Sequence, residues 1–490
     1  MKNSSFPTVI ITASLVLALF TVARNLADPY LWFDEAGQFF ISKGLNHYST
    51  PLEPENGIRG VIENNALYNL DPGGFSLLLH FWSKISNSHI WLRLLPFSFF
   101  IGTVLSFIYL AYFWLEDLRL ALLIGFIPIL MPALRTAVEI RAYSMETFGS
   151  LICVIALVNL ENRASIRNLF FWSLALSVVM TSRYSVIVVV FIISLYILRL
   201  ISASDLRHER KIVALFVYSF PLLITVIYIY FYSFVFQNKS LGAFGYLPYI
   251  SRDIKVLFFP FTSFLYLLLI IVLLISYLYR ERIEIVKNHK NLLQIVVLTN
   301  IVFIALSFFG VHPWCPFFRR NNSFVSITLL CLAILSAEFL KRVVKQPKNL
   351  NFVFALSLLL IALGIGFNHS NLASYKINTY SNLRIVDIAD YDRIYVDWWE
   401  SASIRYLFEY GTLRSQRSEL YPERFTFGKG ISNIRFLGKE RRSEFLKIQP
   451  RMNELVEFDL LIAPRLAEYG PRDKWELVSG TTNLYIKSGS

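Results

Sequence analysis

The feature that most constrains this chain is the recurrence of apolar runs along its first 368 residues. A helix that crosses the hydrocarbon core of a membrane needs roughly 20 mostly apolar residues. Runs of this kind lie near 6–24, 91–114, 118–135, 143–160, 168–182, 185–202, 212–236, 256–279, 291–311, 323–340 and 351–368. The sequence therefore predicts a polytopic α-helical membrane protein with about 11 transmembrane helices.

The charged residues divide the chain into two regions. Residues 369–490 hold 34 charged side chains in 122 positions, whereas residues 1–368 hold 47. A charged fraction of about 25% is typical of soluble domains, so we predict a membrane domain at 1–368 and a small water-soluble domain at 369–490. The net charge of +13 comes mainly from Lys and Arg between the apolar runs. That distribution follows the positive-inside rule and does not indicate nucleic-acid binding.

The C-terminal region alternates between strand-like and helix-like segments. Residues 393–397 and 458–463 resemble buried strands, residues 401–410 resemble a helix that closes at Gly411, and residues 475–487 resemble a hairpin turning near Ser479 and Gly480. These patterns predict a small α/β domain.

The distribution of Lys and Arg in the short loops orients the membrane domain. With the N-terminus inside, the inner segments collect 16 basic residues and the outer short loops collect 8. The N-terminal run at 6–23 is interpreted as the first span rather than as a signal peptide. Only Ser182, Arg183 and Tyr184 separate the fifth and sixth runs, and splitting them gives an odd number of spans. We therefore expect a multi-pass protein of the plasma (inner) membrane, with the loop 25–90 and the domain 369–490 outside.

The long first outer loop contains a second predicted helix. Asp71 and Pro72 form a helix-start signal, with an acidic N-cap and proline at the first helical position. Apolar residues from Phe75 to Trp82 alternate with polar ones. This pattern predicts an amphipathic helix on the membrane surface.

Charged residues beside membrane spans are costly and indicate function. In the predicted topology those on the outer face are Asp34, Glu35, Glu139, Arg141, Glu146, Arg183, Arg319 and Arg320. A carboxylate can accept a proton from a hydroxyl nucleophile, and arginines can bind a phosphate through charge-assisted hydrogen bonds. The chain shows no Gly-rich phosphate loop, and a lipid-linked phosphosugar is the natural activated donor outside a membrane.

An ordered set of motifs also resembles a known family. Residues 32–36 (Trp-Phe-Asp-Glu-Ala), 71–82, 92–96 and 139–143 (Glu-Ile-Arg-Ala-Tyr), with a loose late arginine motif at 319–320, resemble motifs of the GT-C glycosyltransferases. The branch is that of the protein O-mannosyltransferases and the bacterial lipid A aminoarabinose transferases. The resemblance covers residues 1–340 in order, and it rests on the set of motifs rather than on any single one.

The resemblance implies roles for particular residues. Asp34 would be the catalytic base and Glu35 would assist or orient it, while the donor phosphate would be bound by Arg141, Arg183, Arg319 and Arg320, with Glu139 and Tyr143 in support. The chain departs from the family pattern in four places. Gly73, Ala142, Arg183 and Asn321 stand where the family often has Pro, Pro, His and Tyr. The last two departures concern the phosphate contacts.

These features predict an inverting glycosyltransferase. It would move a sugar from a polyprenyl-phosphate donor to a hydroxyl of a glycan, lipid or protein acceptor on the outer face. No cofactor is predicted, because the histidines show no metal-ligand spacing, although a divalent metal is possible. Two alternatives remain open at this stage. One is a transporter or flippase for a lipid-linked sugar, and the other is a non-catalytic scaffold in which the outer domain carries the function.

Overall fold

The structure is a computed structural model of the 490-residue chain. It describes residues 5–45, 57–69, 71–130, 136–204, 206–232, 261–278, 289–308, 322–343, 391–412, 424–427, 460–462, 475–477 and 484–487. The predicted span 351–368 and the predicted domain boundary at 368 lie outside these residues, so both stay predictions.

Helices make up most of the described chain. Those of the N-terminal part are α1 (Ser5–Ala23), α2 (Phe33–Ser42), α3 (Gly57–Tyr68), α4 (Gly74–Ser83), α5 (His89–Leu115), α6 (Leu118–Ile124) and α7 (Ile127–Leu130). Those that follow are α8 (Tyr143–Asn162), α9 (Ile166–Met180), α10 (Tyr184–Ala203), α11 (His208–Tyr230), α12 (Phe261–Leu278), α13 (Lys290–Phe308), α14 (Asn322–Val343) and α15 (Trp398–Glu409). A short 3-10 helix, Arg24–Ala27, follows α1.

Six of these helices are long and apolar enough to cross a membrane. These six are α5, α8, α10, α11, most of α14, and most of α1 counted together with the 3-10 helix. The chain therefore has the helices of a membrane protein. The break predicted between the fifth and sixth runs is confirmed, since α9 ends at Met180 and α10 begins at Tyr184.

The third predicted span, 118–135, is not one continuous helix. It divides into α6 and α7 at Gly125 and Phe126, and residues 131–135 lie outside the described chain. Proline at position 128 explains the break, because it has no backbone N–H to donate to the carbonyl of Ile124. The span predicted at 118–135 is therefore described only in part, as two short apolar helices, and it stays a prediction.

The chain forms two compact units. The first comprises Met1–Ala23, Pro96–Val235 and Ala243–Ser370. Its inner helix is α8, which packs against α9, α10 and α14. In the most apolar window of α8, 78% of the residues are buried, against 17% for α11. Side chains on α8 therefore face other helices, whereas most of α11 is left uncovered within the chain.

The second unit comprises Arg24–Leu95, Phe236–Gly242 and Asn371–Ser490. It contains a five-stranded sheet in the order β2-β1-β3-β5-β4. The strands are β1 (Ile394–Val396), β2 (Phe425–Phe427), β3 (Leu460–Ile462), β4 (Trp475–Leu477) and β5 (Leu484–Lys487). Strand β1 runs parallel to β2 and β3, and β5 runs antiparallel to β3 and β4.

The C-terminal elements agree largely with their sequence signals. The strand predicted at 393–397 is β1, the strand predicted at 458–463 contains β3, and the two arms of the predicted hairpin are β4 and β5. Helix α15 begins three residues earlier than predicted and ends at Glu409. Strand β2, which pairs with β1 over three residues, was not predicted.

Residues from the first loop complete the core of this α/β domain. Tyr30 packs with one face of β1 and β3, and with Ile404, Leu407 and Phe408 of α15. Trp32 lies against the same cluster. The first loop and the C-terminal domain therefore share one apolar core, although more than 350 residues separate them in sequence.

The start of α4 differs from the sequence prediction in one detail. The helix begins at Gly74 with Gly73 as its N-cap, at a φ of 85° that favours glycine. Asp71 is therefore not the N-cap and Pro72 is not the first helical residue. The Asp71 carboxylate still accepts the backbone N–H of Gly73, at 3.0 Å. The predicted surface position of α4 stays a prediction.

Glycine allows α8 and α9 to approach closely. A Cβ added at Gly149 would lie 2.9 Å from the Cβ of Val179, and one added at Gly102 would lie 2.8 Å from the ring edge of Phe148. Small residues commonly permit such approaches between membrane helices. The two contacts differ, because the Val179 Cβ is fixed to its backbone whereas the half-buried Phe148 ring can rotate.

Gly149→Ala should therefore destabilise the protein more than Gly102→Ala. Overpacking of a fixed contact costs about 1–3 kcal/mol, so we expect a clear fall in the thermal unfolding midpoint for Gly149→Ala and a smaller one for Gly102→Ala. The measurement is thermal unfolding of the purified variants in one detergent. Equal midpoints for Gly149→Ala and wild type would contradict the described packing of α8 on α9.

Candidate active site

The acidic motif forms the first turn of α2. Asp34 and Glu35 both lie in this turn, where the partial positive charge of a helix N-terminus stabilises carboxylates. The Glu35 carboxylate accepts the backbone N–H of Trp32 at 3.3 Å, which is the carboxylate half of a capping box. Glu35 is fully buried, whereas Asp34 is half-buried. The two adjacent carboxylates therefore have different access to a substrate.

Glu35 is held by a buried arginine that the sequence prediction did not assign. Arg93, in the first turns of α5, lies with its Nη2 atom 3.1 Å from Oε2 of Glu35. The side chains are 2% and 0% exposed. Nη2 also donates to the Tyr30 carbonyl at 2.6 Å, and Nη1 donates to the Asn25 carbonyl at 3.1 Å. These contacts stabilise two charges that would be costly to bury alone.

The segment before α2 is further ordered by Asp28. Its carboxylate accepts the backbone N–H of Tyr30 at 3.0 Å, and its second oxygen lies 4.0 Å from Nη1 of Arg93. Asp28 is 37% exposed, so its attraction for Arg93 is weakened by solvent. Arg93 thus fixes the chain on both sides of Tyr30, directly before the acidic motif.

A buried network of amide and hydroxyl groups, with one carboxylate, holds the middle of α2. Gln38 donates to the Ser76 hydroxyl at 2.6 Å and accepts from Asn69 at 2.9 Å. Asn65 accepts from both Ser76 and Asn69, and donates to the Asp71 carboxylate at 3.2 Å. All five side chains are buried. Satisfied networks of this kind fix one arrangement of their elements, here α2 against α3 and α4.

The C-terminal end of α2 is fixed by a histidine. The Nδ1 atom of His80, on α4, lies 2.7 Å from the carbonyl oxygen of Ser42, and the ring is buried. A carbonyl can only accept, so Nδ1 carries the proton in this contact. Helix α2 is therefore held at its start, middle and end.

The first unit contains the second group of predicted residues. Glu139 and Arg141 lie in a turn directly before α8, where the Arg141 N–H donates to the Glu139 carbonyl at 2.6 Å. The Ser144 hydroxyl closes this turn by donating to the Thr136 carbonyl at 2.7 Å. Glu139 is buried and Arg141 is half-buried. The turn, rather than a helix, thus positions these two side chains.

Arg183, Tyr143 and Glu146 form a compact cluster in the same unit. The Arg183 guanidinium carbon lies 4.5 Å from the centre of the Tyr143 ring, and its Nε lies 3.0 Å from Oε2 of Glu146. The other Glu146 oxygen accepts from the Ser185 hydroxyl at 2.6 Å. Because Nε makes the ion pair, most of the guanidinium donors, which are on the two Nη atoms, are not used by it.

The structure thus places the predicted residues in two groups. Asp34 and Glu35 belong to the second unit, and Glu139, Arg141, Tyr143 and Arg183 belong to the first. Arg319 and Arg320 lie outside the described residues. Arg93 was not among the predicted residues, and Glu146 was named as an outer-face charge without an assigned role, although both are charged residues at the ends of apolar runs. That signal was sufficient to suspect them, but their partners lie 58 and 37 positions away in sequence.

Within the described residues, no three His, Cys, Asp or Glu side chains are grouped so that they could hold a metal ion. Comparison of the sequence with protein-family models and with curated proteins finds no match.

The ion pair between Arg93 and Glu35 should dominate the stability of the second unit. Arg93→Met leaves the Glu35 carboxylate buried without its cation, which costs about 3–5 kcal/mol. In the double variant Arg93→Met/Glu35→Gln the buried charge is absent, so we expect it to be more stable than Arg93→Met alone. Asp28→Asn is the control, with a much smaller effect.

The measurement is thermal unfolding of wild type, Arg93→Met, Glu35→Gln and the double variant, read as a double-mutant cycle, with Asp28→Asn measured beside them. A double variant that is less stable than Arg93→Met would show that Glu35 is not held mainly by Arg93.

Proposed function

We propose that this chain is a glycosyltransferase that moves a sugar from a polyprenyl-phosphate carrier to an acceptor hydroxyl. The observation that supports this most is that the two carboxylates of the acidic motif differ in burial and in their contacts. Glu35 is buried and engaged by Arg93 and by the Trp32 backbone. Asp34 is half-buried in the same helical turn. One carboxylate thus anchors the turn, and its neighbour is left more accessible for chemistry.

In the proposed reaction, Asp34 accepts the proton of the acceptor hydroxyl. The oxygen then attacks the anomeric carbon of the donor while the bond from that carbon to the lipid phosphate breaks. The phosphate leaves with the bonding electrons, and the proton on Asp34 passes to solvent. A single displacement of this kind inverts the configuration at the anomeric carbon. Glu35 is assigned to orienting the turn and not to proton transfer.

We assign the lipid phosphate to the arginines of the first unit. Arg141, Arg183, Arg319 and Arg320 are the candidates, with Glu139 and Tyr143 in support. Arg183 is a suitable ligand because Glu146 uses only its Nε and Tyr143 lies against its planar face. The planar guanidinium can offer two parallel N–H groups to a phosphate, and its charge would stabilise the leaving group.

The membrane arrangement belongs to the same proposal. We propose eleven spans, an inside N-terminus, and an outside location for residues 25–90 and 369–490. Single cysteines at Ser204 and Ser479, in a chain whose three native cysteines are serine, should react oppositely with an impermeant thiol reagent in intact cells. Only the cysteine at 479 should be labelled. Labelling at 204 would reverse the orientation and move the reaction to the other face.

Asp34→Asn should abolish transfer while leaving expression and membrane insertion intact. A positioned general base contributes about 10²–10⁴-fold to a rate, and the amide has the same shape but cannot accept the proton. The measurement is mass spectrometry of glycans and lipids from cells that carry wild type, Asp34→Asn, or the control Glu63→Gln. Glu63 is an exposed carboxylate of the same unit. Wild-type product levels in Asp34→Asn cells would refute the assignment.

The arginine variants should lose donor binding. Removing one charge-assisted contact costs about 1.5–3 kcal/mol, hence roughly a tenfold to hundredfold weaker affinity. We expect this loss for Arg141→Ala and Arg183→Ala, and for at least one of Arg319→Ala and Arg320→Ala. Lysine should rescue only in part, because it lacks the planar pair of donors.

The probe is polyprenyl phosphate titrated into each purified variant in nanodiscs, with Arg59→Ala as the control. Arg59 is an exposed arginine of the second unit. Unchanged affinity in all four variants would identify these arginines as structural or interfacial, and the phosphate would have to bind elsewhere.

A further inference from the structure

The C-terminal helix α15 packs directly on the helix that carries the acidic motif. The ring of Phe39, on α2, lies 5.3 Å from that of Tyr406 and 5.0 Å from that of Tyr410, both at steep angles. Edge-to-face pairs of this kind stabilise the packing beyond their buried area. Tyr406 also donates its hydroxyl proton to the Asn87 carbonyl at 2.9 Å. Burial raises the pKa of Tyr406, which keeps this donor neutral.

A continuous series of polar contacts leads from α15 to the acidic motif. Oε2 of Glu400, in the first turn of α15, accepts the hydroxyl proton of Tyr30 at 2.8 Å. The carbonyl of Tyr30 accepts from Nη2 of Arg93, and the same Nη2 pairs with Glu35.

The side chains in this series are nearly inaccessible. Glu400, Tyr30 and Arg93 are each 2% exposed and Glu35 is 0% exposed. In such an environment hydrogen bonds to a charged group are strong and their loss is expensive. These contacts therefore link Glu400 to the residue next to Asp34.

We propose that Glu400 is a positioning residue for the acidic motif, so that the C-terminal α/β domain is a working part of the catalytic unit. This inference rests on the proposed function. It assigns the domain the task of holding the turn with Asp34 in place, through Tyr30 and Arg93. The apolar core that Tyr30 shares with β1 and β3 serves the same task, because it fixes the ring whose hydroxyl group Glu400 engages.

The expected effect is on turnover and not on donor affinity. Displacement of a catalytic group by about 1 Å costs up to about a hundredfold in rate. Glu400→Leu and Tyr30→Phe should each lower product formation by about tenfold to a hundredfold. The double variant should be no worse than either single one, because both changes break the same link. Glu400→Gln should retain most of the activity, since its amide oxygen can still accept from Tyr30.

Three readouts on the full-length protein in nanodiscs or cells test this inference. The first is amide hydrogen exchange over residues 30–42, which should increase in Glu400→Leu and stay near wild type in Glu400→Gln. The second is affinity for polyprenyl phosphate, which should change by less than about twofold in either variant. The third is the product detected by mass spectrometry in cells. Asp392→Asn is the control, since Asp392 is an 88% exposed carboxylate of the same domain.

Increased exchange together with lower product and unchanged donor affinity would support the inference. Unchanged exchange would overturn it, and so would increased exchange with wild-type product, which would give Glu400 a merely structural role. Tyr30→Phe provides the same test if Glu400→Leu does not fold.

The proposed function is tested separately by Asp34→Asn. If that variant keeps full activity, the proposed function fails and the positioning role of Glu400 fails with it, whatever the exchange result.

Discussion

The site depends on the burial of one arginine next to one glutamate. Neither Arg93 nor Glu35 could be removed from water alone, since an isolated buried charge costs several kcal/mol even after relaxation. Together they compensate each other's charge, and the two Nη atoms of Arg93 also donate to the carbonyls of Asn25 and Tyr30. The start of α2, the segment before it and the start of α5 are therefore held by one ionic contact. The glutamate in that contact is fully buried, whereas its neighbour Asp34 is half-buried.

The rest of the second unit reinforces this arrangement with neutral groups. Rings of α15 pack on Phe39, the amide network around Asn65 joins α2 to α3 and α4, and Tyr30 joins the sheet to the loop. Apolar burial supplies most of the stabilisation, and the polar contacts select one geometry. The α/β domain therefore belongs to one compact unit with the first loop. It shares its core with the loop that carries Asp34.

The sequence was sufficient for those features that depend on local composition. Apolar runs of span length predict helices because a backbone in hydrocarbon must satisfy its own hydrogen bonds, and the break at 181–183 was visible as a short polar interruption. Strands β1 and β3 were recognisable as buried apolar runs. The interruption of the third run could have been read from Gly125 and Pro128, but the apolar composition of the whole stretch outweighed it.

Features that depend on distant partners could not be predicted in this way. Arg93 is a visible charge in an apolar run, but only the folded chain shows that it pairs with Glu35. The hydrogen bond between Tyr30 and Glu400 joins residues 370 positions apart, and no local pattern marks it. The N-cap at Gly73 differs from the predicted Asp71 because glycine adopts a positive φ that allows a tighter start of α4. At the candidate site, the sequence pointed to Asp34 and Glu35 as a pair. Only the folded chain shows that the two carboxylates differ in burial and in their contacts.

The most direct test of the account is mass spectrometry of the cell envelope with the wild-type chain, without it, and with Asp34→Asn. A glycosyltransferase predicts that a glycan, lipid or protein species loses the mass of one sugar in the last two strains, while the polyprenyl-phosphate sugar accumulates on the outer face. Accumulation of the lipid-linked sugar on the inner face, with Asp34→Asn behaving as wild type, would contradict the account and indicate a transporter.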